Sequence, residues 1–259
     1  MEAFEVLLLK NRPCLDMSGN EVKMSECRIA EERPVAIYIN GRHHATAMIS
    51  PSLEREFVAG HLLAEGIIKS ISELESLELV DSTAKAIIRN PIRALRSRRT
   101  IVSGCGGSSS FLDPSKLPKV DSGKKADTLS IVDAVSRVLS SEAHALSGGL
   151  HSSGLFWEDG GSIIAEDIGR HNALDKAIGI GFLSSKALCD SIAACTGRIS
   201  SEMVLKAANA GIPIIASRGA TTGLSIEIAE QAGICIVGFV RGERMKVYSR
   251  VDRILQSRC

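Results

Sequence analysis

Aromatic side chains are scarce, at 3% of the 259 residues. Single-stranded nucleic acid is usually held by bases stacked on such rings, so a base-stacking surface is not expected. Charge of one sign is missing too: 31 Lys and Arg against 30 Asp and Glu leave a formal net charge of +1, with no basic tail. Bulk electrostatics therefore argue neither for nor against a nucleic-acid partner, and none is expected for want of a stacking surface. No apolar run approaches the roughly 18–20 residues of a membrane span. The opening "MEAFEVLLLKNRPC" lacks the basic n-region and small-residue cleavage site of a signal peptide. The expected compartment is the cytoplasm, with no membrane partner. Paired cysteines are absent as well. The seven cysteines, Cys14, Cys27, Cys105, Cys189, Cys195, Cys235 and Cys259, include no C-x-x-C. That fits reduced thiols and excludes the common zinc spacings, so no protein-ligated metal is expected.

What is present divides into two styles. The first third is β-rich with one helix. "PVAIYIN" and "GRHHATAMI" are strand-like runs meeting at Asn40-Gly41, a strong hairpin signal. A helix follows in "SPSLEREFVAGHLLAEGIIKS", with Ser50 as its expected cap, Pro51 in its first turn and Leu53, Phe57, Leu62 and Leu63 on a buried face. "SLELVDS" and "KAIIRN" suit two more strands. A stretch rich in Pro, Ser, Gly and Lys then marks a linker, placed at residues 116–127. This predicts an N-terminal α+β domain over 1–115 and a C-terminal α/β domain over 128–259. In the latter, a helix over "SIVDAVSRVLSSEAHAL" leads to strands "HSSGLFWED" and "SIIAED". Helices at "HNALDKAIGIGFL", "ISSEMVLKAANAG" and "LSIEIAEQAG" then alternate with strands in "ALCDSIAAC", "IPIIAS" and "ICIVGFV". Such alternation implies a layered α/β fold covered on both faces.

Open α/β sheets bind ligands beyond the carboxyl ends of their strands. Four Arg-bearing segments fall at such places. "AEDIGRHNALDK" supplies Arg170 and His171, and "CTGRISSE" supplies Thr196, Gly197 and Arg198. "SRGATTGLS" supplies Ser217, Arg218, Thr221 and Thr222, and "GFVRGER" supplies Arg241 and Arg244. Small residues let backbone N–H groups approach an anion, and Arg offers a two-pronged donor to phosphate. The same residues also serve as ordinary helix caps. Neither G-x-x-x-x-G-K-[ST] nor a strand-borne G-x-G-x-x-G occurs.

Cys105 stands in "TIVSGCGGSSSF", a loop of glycine and serine without aliphatic packing. That setting suits an accessible, reactive thiol. The upstream Arg93, Arg96, Arg98 and Arg99 would favour its thiolate if folded back on it; as a solvated strand face they would not. Cys189, Cys195 and Cys235 lie in or beside apolar runs and are expected in the core. His151 and His171 suit either proton transfer or structural hydrogen bonding.

"SGGLHSSGLF", "EDIGRHNALDKAIG", "TGRISSEMVLKAANAGIPIIASRGATT" and "GFVRGERMKVY", with "FVAGHLLAEGII" further upstream, resemble the formate dehydrogenase accessory sulfurtransferase family, FdhD. The resemblance implies a sulfurtransferase that takes persulfide sulfur from a cysteine desulfurase. The sulfur goes to the molybdenum cofactor, bis-molybdopterin guanine dinucleotide, before that cofactor enters formate dehydrogenase. It makes Cys105 the sulfur carrier and places cofactor binding at Phe239, Val240, Arg241, Gly242, Glu243 and Arg244. It also implies a cytidine-deaminase-like C-terminal domain and a homodimer. The H-x-E and P-C-x-x-C motifs of zinc deaminases are absent, so that activity is not expected. Many members carry C-x-x-C in the loop; here the second position is Ser108. The alternative is a cofactor-binding chaperone in which Cys105 is dispensable.

Overall fold

The computed structural model describes residues 8–90 and 117–255. Cys105 and Ser108, the arginines upstream of them and Cys259 lie outside the described residues.

The described chain opens with a long antiparallel hairpin, β1 (Leu9–Ser18) and β2 (Glu21–Ala30), turned at Gly19. A four-stranded sheet follows in the order β4–β3–β6–β5. Its strands are β3 (Arg33–Ile39), β4 (Arg42–Ile49), β5 (Leu74–Val80) and β6 (Thr83–Ile88). Asn40 and Gly41 have φ of 48° and 79°, the double left-handed turn that matches strand twist. The expected hairpin is therefore present.

Helix α1 (Glu54–Ala64) buries Phe57, Leu62 and Leu63 as the sequence predicts. Its start differs from expectation. Ser50 is not the cap: the helix begins three residues later, behind Leu53 at φ 55°. Ser50 is drawn instead into a buried network with Asp167, described below.

The second half centres on a six-stranded sheet, β13–β12–β11–β10–β8–β9. Strands β10 (Ile192–Cys195), β11 (Ile214–Ser217) and β12 (Cys235–Arg241) are parallel. Strands β8 (His151–Phe156), β9 (Ser162–Asp167) and β13 (Arg244–Val247) join antiparallel. A short parallel pair, β7 (Ala126–Asp127) and β14 (Ile254–Leu255), stands apart.

Strand periodicity decides which face each side chain covers. Ile192, Ala194, Ile214, Ala216, Cys235 and Val237 pack with α2 (Thr128–Leu139) on one face. Ala193, Cys195, Ile215 and Ile236 point the other way, into a core shared with α4 (Arg170–Leu183), α5 (Ser201–Asn209), α6 (Gly223–Ala232) and α1. The result is helix, sheet, helix, with the four-stranded sheet closing the far side of α1 in the same core.

The helix expected from Ser130 to Leu146 is broken. Ser140 ends α2, and Ser141 starts α3 (Glu142–Ser147), its hydroxyl accepting from His144 N at 3.3 Å. Serines compete well for backbone groups at helix ends, so a consecutive pair makes a natural break. Cys189 also departs from expectation. It is exposed, because the turn Leu188–Asp190 gives its buried place to Leu188.

Helices α1 and α4 touch backbone to backbone. A Cβ on Gly60 would lie 1.8 Å from Asp175 O, and one on Gly179 1.8 Å from Glu56 O. Only glycine permits that approach.

Candidate functional site

The carboxyl ends of β10, β11 and β12 lie together at one end of the sheet, and the amino end of antiparallel β8 joins them. Five residues converge there. Thr196 N donates to Ser152 O at 3.0 Å, and its hydroxyl accepts from Ser152 N at 3.1 Å. His151 Nδ1 stands 3.4 Å from the same hydroxyl. Arg170, first residue of α4, crosses over Gly197: a Cβ at 197 would be 3.0 Å from Arg170 Cδ and 3.4 Å from His151 Cε1. Arg170 Nε is buried without a hydrogen-bond partner. A donor in that state is costly unless an acceptor reaches it.

The neighbouring loop is shaped by Ser217. Its hydroxyl donates to Gly197 O at 2.6 Å and accepts from Gly219 N at 2.9 Å. Gly219 O in turn accepts from Phe239 N at 3.0 Å. Phe239 has φ 53°, rare for a bulky residue, within a register irregularity between Gly238 and Arg241. The irregularity lies where the strand meets an adjoining cleft of about 330 Å³. Arg218 lines the cleft from the loop after β11, Val240, Arg241 and Gly242 line it from the end of β12 and the turn beyond, and Val132, Val135, Ser136 and Leu139 line it from α2. The α2 contribution is absent from the sequence expectations. Its signal is the apolar spacing of Val132, Val135 and Leu139, which reads as core until the cleft beside it is seen.

Charge in this region comes from arginine. Burial, then the Arg170 charge, lowers His151 from its ordinary value. The same two causes, burial first, push His171 down to about 4. His171 is therefore neutral at pH 7, and at 3.1 Å its Nε2–H donates to the Glu202 carboxylate. The same nitrogen lies 3.3 Å from Ser200 Oγ, so His171 ties α4 to the start of α5. Arg198, Arg218, Arg241 and Arg244 are exposed. Neutral imidazoles beside arginines leave a cationic surface suited to phosphate.

The remaining candidates are placed elsewhere. Thr222 caps α6 in a reciprocal box with Ser225, and Thr221 Oγ1 lies 2.6 Å from Ser225 Oγ. Glu243 lies in the exposed β12–β13 turn, and Arg244 opens β13, also exposed. Arg198 is not among the residues lining the cleft.

Asp167, in the same segment as Arg170, is wholly buried. Its Oδ2 lies 2.7 Å from Lys176 Nζ and accepts from Ser50 N at 2.9 Å. Its Oδ1 accepts from Gly169 N and Asn172 Nδ2, both at 2.9 Å. The "EDIGRHNALDK" string thus aims Arg170 through a charge network beneath it. A second network, Lys206 with Asp175 at 2.8 Å and Glu65 at 2.9 Å, pins α5 to α4 and α1. Burial opposes the Lys206 charge, but the two carboxylates outweigh it and raise its pKa. Among the described residues, no group of three or more His, Cys, Asp or Glu is arranged to hold a metal ion.

Sheet, cleft and arginine-bearing loops define a mixed α/β protein with an anion-suited site at the strand ends. The chain belongs to the FdhD/NarQ family, whose pattern it matches over residues 30–255. It is 33% identical over 257 residues to the sulfur carrier protein FdhD of Geobacillus kaustophilus, covering 95% of this chain and 97% of that one. It is 34% identical to the Listeria innocua protein of the same name, over 88% of this chain and 92% of that one. A crystal structure from Desulfotalea psychrophila, described as a formate dehydrogenase accessory protein, superposes with a TM-score of 0.78 at 28% identity. The match covers 96% of this chain and all of that one. No described helix is long and apolar enough to cross a membrane.

Proposed function

We propose that this protein is a cytoplasmic sulfur carrier serving formate dehydrogenase, with Cys105 as the atom that carries sulfur. The sulfur carrier names of its relatives support the general role. The observation that carries the reading in this chain is the cleft beside Ser217–Gly219, where Arg218 and Arg241 meet at the strand ends. In this reading the Cys105 thiolate attacks the outer sulfur of a cysteine desulfurase persulfide. It becomes Cys105–S–SH, and the desulfurase thiolate leaves. The molybdenum cofactor, bis-molybdopterin guanine dinucleotide, is the recipient. Its pyrophosphates suit Arg218 and Arg241, with Arg170, Thr196 and Gly197 next to them.

The helix–sheet–helix order supports a cytidine-deaminase-like C-terminal unit over 128–259, following the smaller unit over 1–115 and the 116–127 linker. A homodimer would bring two such clefts to one cofactor carrying two guanine dinucleotides. A carrier needs only one thiol, so Ser108 is compatible with the role.

The test is intact mass after incubation with a cysteine desulfurase and cysteine. The wild type should gain sulfane sulfur that reductant removes, and Cys105→Ala should not. Equal gain in both, or none in either, would instead favour a cofactor-binding chaperone in which Cys105 is dispensable.

A further inference from the structure

The thiols of Cys14 and Cys27 meet on the β1–β2 hairpin. The register sets Cys14 opposite Ser25 and Cys27 opposite Arg12. Both cysteines therefore stand on one face as diagonal cross-strand neighbours. Their sulfurs are 2.6 Å apart. Cys27 is exposed and Cys14 half-buried, so solvent reagents reach the pair. Cys195 and Cys235 contrast with them, because burial raises these thiols to about 11 and about 12 and closes them off.

We propose that Cys14 and Cys27 form a second thiol site, a dithiol that low-molecular-weight disulfides of the glutathione class convert reversibly to an intramolecular disulfide. This site is independent of the sulfur-carrier reading, which rests on Cys105. Cys27 gives its proton to solvent, bonds to one sulfur of the reagent RSSR and displaces the other as RS⁻. Cys14, deprotonated in turn, attacks Cys27 Sγ and expels the second RS⁻. The released protons convert both leaving groups to RSH. Two electrons pass from the pair to the reagent, so two thiols and one RSSR become one cystine and two RSH.

The order follows from access. Cys27 is the more exposed sulfur. The Cys14 thiol is raised from its ordinary value, chiefly by its contact with Cys27. The arm carrying the pair is rooted beside the candidate site, where Leu8 and Leu9 pack against Leu150 and Ile168.

Trypsin provides the test, because Lys23 lies between the two cysteines and Arg12 is shielded by Pro13. The reduced full chain is incubated with oxidised glutathione, quenched with an alkylating agent and digested. Peptides 11–23 and 24–28 should emerge joined by a disulfide that dithiothreitol breaks. In Cys14→Ser, Cys27 should retain one glutathione as a stable mixed disulfide. Exposed Cys189 serves as the single-thiol comparison. The proposal is overturned if both peptides are recovered alkylated under conditions that glutathionylate Cys189. It is also overturned if each carries its own glutathione, or if Cys27 of Cys14→Ser stays unmodified.

Discussion

At the scale of single residues, His171 links the site to stability. Its folded pKa of about 4 lies below the ordinary 6.5, with burial as the larger cause and Arg170 as the next. The unfolded chain takes up this proton first as pH falls. The contribution to stability is therefore complete above pH 6.5 and erodes between 6.5 and about 4. His151, lowered by the same causes, acts in the same direction. We expect the urea midpoint to fall between pH 7 and pH 5, and His171→Gln to flatten part of that slope. NMR titration should find the His171 ring still neutral at pH 5.5; a midpoint near 6.5 would contradict the buried, arginine-flanked environment. Side-chain roles of this kind were only half legible in the sequence. Residue type and loop position mark Arg170, Thr196 and Gly197, which the fold brings together at the strand ends. Nothing local reveals that Asp167, two residues from a glycine in a polar string, is buried by Lys176 and Ser50, because Ser50, just past the end of β4, is over a hundred residues away. The same blindness made Ser50 look like a cap.

At the scale of elements, the contact of α1 with α4 is the sharpest constraint. The atoms that a Cβ on Gly60 would strike are backbone, so no rotamer change relieves the clash. Gly60→Ala should destabilise the fold by about 3 kcal/mol or more, at the upper end for overpacking. Gly149→Ala, whose Cβ would meet nothing closer than 3.6 Å, is the matched control. Chemical denaturation of both variants checks this, and equal stability would mean that the helices stand further apart. Elements themselves were largely legible where period and punctuation agree, as in the βα alternation from His151 onward and the Asn40-Gly41 hairpin. The β1–β2 hairpin carried a usable signal that went unread: Leu15-x-Met17 and Val22-x-Met24 flank Gly19-Asn20. Its alternation faces water rather than a core, with Met17 at 67% and Met24 at 68% exposure, so nothing else in the sequence supports it.

At the scale of the whole molecule, one core joins both sheets, and buried charges lie at the joint. Lys176 with Asp167, and Lys206 with Asp175 and Glu65, bind segments from the first half to helices of the second. Apolar packing alone leaves α1 many ways to lie on α4, and charges that must find their partners leave few. Desolvation offsets much of their attraction, so their effect is on uniqueness of docking more than on net stability. The arm formed by β1 and β2 stands outside this arrangement. Both of its faces are largely hydrated, and it is anchored by a small cluster at Leu8 and Leu9. A lone two-stranded ribbon is marginally stable in water. Time separates the two parts of the molecule accordingly. In deuterated buffer the amides of Asp16 to Lys23 should exchange through local opening, while those of Ala193, Ile215 and Ile236 wait for the entire fold to come apart. Mass spectrometry of peptides from each region would record two clocks in one chain, the arm keeping the faster.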